Sequence, residues 1–434
     1  MTDPFLTIPS SDWLRDSSAD RLTDLLQFLT NQGTFSFPIL PNGLFSAIGS
    51  ESDVAEVTGY RNVWLRDNIH IAWAHWAVQK DSSVPSACLR TLLEFYSRHE
   101  HRFDSIIDHQ ADADEPMNRP HIRFNGTDLK ELDEKWSHAQ NDALGYLLWL
   151  TCRLTNEAQF SPKESEWNIL ADVVHYFASV KYWQDEDSGH WEEVRKISAS
   201  SIGTALAGLV ELKTLLEATD AAEAISNTRR GVPAALLNEL IARGRTALES
   251  ILPFECIQED PAKRREFDAA LLFLIYPLNI VSESQADEIL NRVTHNLQGP
   301  IGIRRYPGDS YWCADYKELL SADARTADFS DSLGARDALL KPGFEAQWCI
   351  FDPIISCIYG ERFRTSGRTE DKQKQMEYLR RSLAQLTPVG SEFGAFRCPE
   401  SYFCERGNWI PNDITPLLWT QANLWQALML AADQ

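Results

Sequence analysis

A chain of 434 residues, 44% apolar and 24% charged, is long enough to build a large core, and it carries no charge block of the kind that marks a disordered tail. Its formal net charge of −22 argues against nucleic-acid and anionic-membrane surfaces, both of which need a basic face. The opening Met1-Thr2-Asp3-Pro4 lacks the basic and apolar stretches of a secretory signal, and no run reaches the roughly 18 apolar residues of a membrane span, so a cytoplasmic protein is expected.

Apolar residues recur at helical spacing in twelve segments, near 11–31, 65–79, 84–102, 140–155, 164–182, 199–217, 232–251, 266–276, 284–297, 345–360, 371–386 and 414–431. Strand-like alternation is confined to short pieces such as Ile122 to Asn125. The predicted class is therefore all-α. Taken in pairs, twelve helices close as an (α/α)6 barrel, a six-hairpin toroid, over one domain spanning 1–434. The segments starting near 65, 140, 199, 266, 345 and 414 are richer in small and apolar residues and are predicted to form the inner ring.

Three connections, near 103–139, 298–344 and 387–413, are far longer than the usual 4 to 6 residues, and each leads into an inner helix. In an alternating ring all inner helices start at one end, so these loops are expected to wall a pocket there.

The stretches before the inner helices carry the polar chemistry. Tyr60-Arg61-Asn62-Val63-Trp64-Leu65-Arg66-Asp67 ends at a helix start, where Asp67 fits two descriptions: a helix cap, or an acceptor for sugar hydroxyls beside a donating Arg66 and the walls Trp64 and Tyr60. Trp136 to Asp142 offers an aromatic followed by amides and carboxylates, with Asn141 or Asp142 equally readable as a cap. Trp191-Glu192-Glu193 sets two carboxylates after an indole, whose desolvation would raise a carboxyl pKa as a general acid requires, although Glu-Glu before Arg195-Lys196 also fits a solvated turn. Arg304-Arg305-Tyr306-Pro307 and Pro399-Glu400-Ser401 precede the last two inner helices. Two carboxylates from distant loops meeting in an aromatic pocket satisfy the requirement for glycoside hydrolysis.

The remaining signals are structural. Eight cysteines occur without a CxxC pair and read as buried thiols, while about half of the fourteen tryptophans are expected in the core. His99-Glu100-His101 reads as a solvated helix end, because alternate residues on a helix face apart.

In order, Trp64-Leu65-Arg66-Asp67, Trp136 to Asp142, Trp191-Glu192-Glu193, Arg305-Tyr306-Pro307 and Pro399-Glu400 resemble the motifs of glycoside hydrolase family 15, over about residues 55–431. Ile197 to Gly203 and Glu345 to Trp348 are closer to the glucoamylase-like domain of phosphorylase kinase regulatory subunits. The resemblance implies an inverting exo-hydrolase that takes β-glucose from the non-reducing end of α-glucosides or short α-glucans, with no metal or cofactor. It implies Glu192 as general acid, Glu400 as general base and Arg66 with Asp67 as the clamp on the terminal glucose. Arg305 then contacts the sugar beyond the cleavage point, and Tyr60, Trp64 and Trp136 form the aromatic wall, with Asp142, Trp191 and Glu193 as further substrate contacts. The kinase-subunit likeness implies an alternative, a regulatory protein that binds sugar without cleaving it.

Overall fold

The computed structural model describes residues 4–6, 12–14, 18–49, 59–326, 330 and 334–434. Part of the helix expected at 11–31 and the start of the motif span at 55–58 lie outside them.

Twelve helices form the barrel: α1 (Ala19–Asn31), α2 (Leu65–Gln79), α3 (Ser83–Arg98), α4 (Asn141–Asn156), α5 (Glu164–Val180), α6 (Ala199–Ala218), α7 (Ala234–Ile251), α8 (Leu272–Ile275), α9 (Glu283–Asn296), α10 (Phe351–Ser366), α11 (Thr369–Ala384) and α12 (Leu418–Ala432). The even-numbered helices are the inner ring. Contacts run α2 to α4 to α6 to α8 to α10 to α12 and back to α2, which closes it. Each is backed by an odd-numbered helix, with α1 lying against α12, so the first and last helices complete the sixth pair.

Inner helices are buried on nearly every side, as sequences apolar all round must be. In α4 and α6 the two backbones come together at glycines: a Cβ on Gly145 would lie 2.7 Å from the Ala205 nitrogen, and one on Gly208 would lie 2.7 Å from the Gly145 carbonyl. The 20-residue α6 is long and apolar enough to cross a membrane by length and composition, contrary to the expectation that no segment would be; 72% of its apolar window is buried within the barrel.

The helix expected at 266–276 is much shorter. Asp268 caps a single 3-10 turn by accepting from the Ala270 N–H (2.9 Å), and α8 ends at Ile275, followed by Tyr276, which is extended before Pro277 as residues preceding proline tend to be. The segment expected at 84–102 breaks after Arg98 into α3 and a short helix, His101–Ile107.

Two small antiparallel sheets dress the barrel: β1 (Val63–Trp64), β2 (Arg123–Asn125) and β3 (Lys130–Glu131), then β4 (Gln347–Trp348), β5 (Ser401–Glu405) and β6 (Asn408–Pro411). The first contains the short piece expected at 122–125. The second explains why α10 and α12 start later than expected. Gln347 and Trp348 pair with Tyr402 and Ser401, and Glu405 pairs with Asn408 across Arg406-Gly407, both at positive φ as a tight hairpin turn requires.

Candidate active site

A cavity of about 110 Å³ opens where the inner helices begin. Nine of the residues singled out from the sequence line it: Tyr60, Trp64, Arg66, Asp67, Trp136, Trp191, Glu192, Arg305 and Glu400. They come from the first turn of α2 and from loops that precede α2, α4, α6, α10 and α12.

Arg66 is fixed by three partners, all buried. Nε donates to Asp142 Oδ2 (2.7 Å), and Nη2 donates to Gln140 Oε1 (2.7 Å) and to the Gly189 carbonyl (3.0 Å). Its Nη1 lies 3.8 Å from Glu192 Oε1. Glu192 also accepts from Trp64 Nε1 (3.3 Å) and Gln140 Nε2 (3.3 Å), and its side chain remains 17% exposed to the cavity.

Glu192 sits in the left-handed region (φ 57°, ψ 41°), an uncommon conformation for a residue with a Cβ and one that clusters at functional sites. It separates two adjacent carboxylates. Glu192 turns into the cavity, while Glu193 turns behind it to accept from Arg305 Nη2 (2.9 Å) and the Tyr306 hydroxyl.

Asp142 and Glu193 were expected among the sugar contacts; the structure sets both a layer back, fully buried beneath Arg66 and Arg305 respectively. The physical reason is the cost of burying a guanidinium, which needs a carboxylate partner in the interior. Asp142 is not the side-chain cap of α4 either, since no side chain caps that helix.

Glu400 enters from the other side. Its Oε1 accepts from the Tyr60 hydroxyl (3.1 Å), which is also 3.1 Å from the Tyr311 hydroxyl, and its Oε2 accepts from Asn412 Nδ2 (2.6 Å). The Tyr60 and Trp64 rings lie 5.1 Å apart between the two glutamates, one ring bonded to each carboxylate. Arg305 is held by Asp309 (2.6 and 2.7 Å) and lies within about 5 Å of the Trp191, Tyr311 and Trp348 ring centres. Trp191 is anchored by its N–H to Asp268 (2.9 Å).

Asp67 differs from its neighbours. It makes no side-chain hydrogen bond or ion pair with another described residue, and α2 has no side-chain cap, so the cap description does not account for it. Burial pushes its carboxyl up to about 7, against the pull of Arg66. Burial likewise raises Glu400 to about 7, opposed by Asn412, Tyr60 and Arg305. Glu192 is raised by burial too, opposed first by Arg66. Burial thus raises three carboxyls in one cavity above their ordinary values, Asp67 and Glu400 to about 7.

Several residues of the site, two in its wall and two behind it, were not singled out. Tyr311 and Trp348 lay within stretches that drew notice, and Gln140 lay in the 136–142 motif; Asn412 depends on the β5–β6 hairpin, whose sequence shows no alternation and only Gly407 as a turn residue. The indole N–H groups of Trp136, Trp348 and Trp419, three residues of the cavity wall, are buried without a hydrogen-bond partner among the described residues. No cluster of three metal-binding side chains occurs among the described residues.

A closed ring of helix pairs with a carboxyl-lined pocket at the mouth where its inner helices start defines an (α/α)6 barrel of the glucoamylase kind. The chain belongs to glycosyl hydrolases family 15, whose model matches residues 34–393. Glu400 lies beyond that match, and its place in the site rests on geometry. A probable phosphorylase b kinase regulatory subunit alpha from Caenorhabditis elegans is 26% identical over 404 residues, 83% of this chain; the chain spans less than a third (30%) of that relative. An uncharacterized lipoprotein, YgeQ, from Escherichia coli strain K12 is 28% identical over 190 residues, covering 39% of this chain and 71% of its own. Among solved structures, a glycosidase in complex with glucose superposes with a TM-score of 0.64 at 16% identity, covering 96% of this chain and 98% of that one. The glucoamylase of Saccharomycopsis fibuligera gives 0.59 at 13%, covering 96% and 95%. These likenesses establish the fold.

Proposed function

We propose that the protein is an inverting, exo-acting α-glucosidase that releases β-glucose from the non-reducing end of α-glucosides or short α-glucans. The observation that carries this reading is the pair Glu192 and Glu400, brought from distant loops to one aromatic cavity and linked through Trp64 and Tyr60.

In this mechanism the protonated Glu192 carboxyl gives its proton to the glycosidic oxygen as the anomeric C–O bond breaks. Glu400, as carboxylate, takes a proton from the water that attacks the opposite face of the same carbon, so the configuration inverts. Asp67 accepts from hydroxyls of the terminal glucose and Arg66 donates to them, between the aromatic walls of Tyr60, Trp64 and Trp136. Arg305 is placed to meet the sugar beyond the cleaved bond. The relative solved with glucose supports the ligand class. No metal or cofactor enters this scheme.

We read the whole chain as one glucoamylase-like domain acting in the cytoplasm. Eight free, buried cysteines are in keeping with a reducing compartment, and the strongly acidic chain with a neutral substrate rather than nucleic acid or anionic lipid.

A second reading is favoured by the kinase regulatory relative: a barrel that binds sugar and signals without turnover. Assay of glucose release from maltose, isomaltose, trehalose and maltooligosaccharides separates the two. Release supports the hydrolase; glucose binding by calorimetry without release supports the sensor.

A further inference from the structure

A second cavity, larger at about 710 Å³, opens at the opposite end of the barrel among the later turns of α2, α4, α6 and α10. Its origin is the brevity of α8. The other inner helices have 15 to 20 residues, roughly 22 to 30 Å at 1.5 Å per residue. α8 has four residues after a three-residue 3-10 turn, and the chain leaves the ring at Tyr276-Pro277, so the far half of the fourth inner position holds no helix.

The lining is of two kinds. Trp73 and Trp149, with ring centres 5.0 Å apart and 61° between planes, form an aromatic wall with Tyr276. The rim carries four arginines, each already matched by acid: Arg153 with Glu157 (2.7 Å) and Glu211 (3.6 Å), Arg362 with Asp287 (2.7 Å), Arg364 with Glu361 (3.1 Å) and Arg368 with Asp371 (2.8 Å). Such a rim has no surplus positive charge to draw an anion. It offers planar, hydrogen-bonding groups around an aromatic face, in which the buried Trp73 N–H is directed at the Tyr276 hydroxyl.

A neutral ligand with an apolar face and a girdle of hydroxyls matches this lining, and the volume falls in the range of small-molecule sites, about 300 to 1,000 Å³. We infer that this cavity is a second, non-catalytic carbohydrate site that takes a neutral α-glucan segment. The choice of glucan rests on the function proposed above; the choice of a neutral polyol rests on the lining itself. Of the glutamates that line it, Glu211 and Glu361 are committed to Arg153 and Arg364, so binding without cleavage is expected.

The test is a calorimetric titration of the Glu400→Gln protein with maltotriose and maltoheptaose, repeated after adding Val210→Trp or Asp67→Asn. Val210 lines the far cavity on α6 and is partly exposed, so a larger side chain there fills existing space. Two sites per chain are expected. Val210→Trp should weaken one at least tenfold and leave the other, and Asp67→Asn should do the reverse. Trp73→Phe, which shrinks the aromatic wall, should weaken the same site as Val210→Trp and serves if the larger substitution unfolds the chain. A single site untouched by Val210→Trp and Trp73→Phe overturns this inference and leaves the first pocket standing. A single site that responds only to them supports the inference and counts against the function proposed for the first pocket. Tighter binding of glucose 1-phosphate than of glucose at the far site, lost with salt, overturns the neutral-ligand assignment.

Discussion

Asn412 donates from Nδ2 to Glu400 Oε2 at 2.6 Å, and both side chains are buried. An N–H aimed at a carboxylate favours its ionised form. Asn412→Ala should therefore raise Glu400 above about 7. Because the base must be ionised, the acidic limb of kcat/KM should move to higher pH by about one unit, the equivalent of one charge-assisted hydrogen bond at the low end of 1.5 to 3 kcal/mol. A pH–rate profile of both proteins checks this; an unmoved limb removes Asn412 from the base.

The same burial sets a stability prediction. Glu400 titrates at about 7 in the folded protein against an ordinary value of 4.5, so the folded state binds more protons than the unfolded one between these values. Stability associated with this group is present below 4.5 and is lost as pH rises through 7. Glu400→Gln cannot ionise and should be more stable than the parent at pH 8, by up to about 3 kcal/mol, with the gain gone below pH 4.5. Denaturant melts at both pH values measure it.

Glu192→Gln and Glu400→Gln keep side-chain shape but lose the acid and the base. Each should cut turnover by roughly 10² to 10⁴ while the protein stays folded. Proton NMR of the parent reaction should show β-glucose before mutarotation; α-glucose as the first product, or full activity in either variant, would overturn the assignment.

Gln140 joins Arg66 to Glu192, accepting from one and donating to the other. Its N–H lowers the Glu192 pKa against burial. Gln140→Leu should thus raise that pKa and shift the alkaline limb of kcat/KM upward, since the acid acts while protonated. Loss of activity with no change in that limb would mean a purely structural role.

Asp67 should bind sugar best when ionised. Affinity for glucose should rise as pH passes about 7, and Asp67→Asn should weaken binding by about 1.5 to 3 kcal/mol and flatten this dependence. Calorimetry at pH 6 and pH 8 distinguishes the outcomes.

The ring was legible because its helical segments are long and rich in apolar residues: α4, α5 and α6 lie where the sequence puts them, within two residues at each end. Boundaries failed where backbone pairing outcompeted helix, as at Gln347–Trp348, and where Pro277 ended α8 early. The site was legible to the extent that its residues sit in short aromatic and acidic runs. Spacing could not tell that adjacent Glu192 and Glu193 would face opposite ways, because that turns on one left-handed backbone angle. Nor could it tell a contact with ligand from a contact beneath one, which is why Asp142 was expected at the surface of the pocket and lies under Arg66.

The packing of α1 against α12 has a consequence for how the molecule is made. A circle cannot close until its last member arrives, so during synthesis α2 and α10 wait for α12 with apolar faces uncovered. Trp419, on α12, and Glu400, just before it, arrive with that final segment. Mean sequence separation between contacting helices is high at this seam, a slow step in folding and the stage at which a growing chain is most exposed to aggregation. Ribosome-bound intermediates lacking residues beyond about 390 should therefore recruit chaperones and show no glucose binding, and both properties should reverse together when α12 emerges.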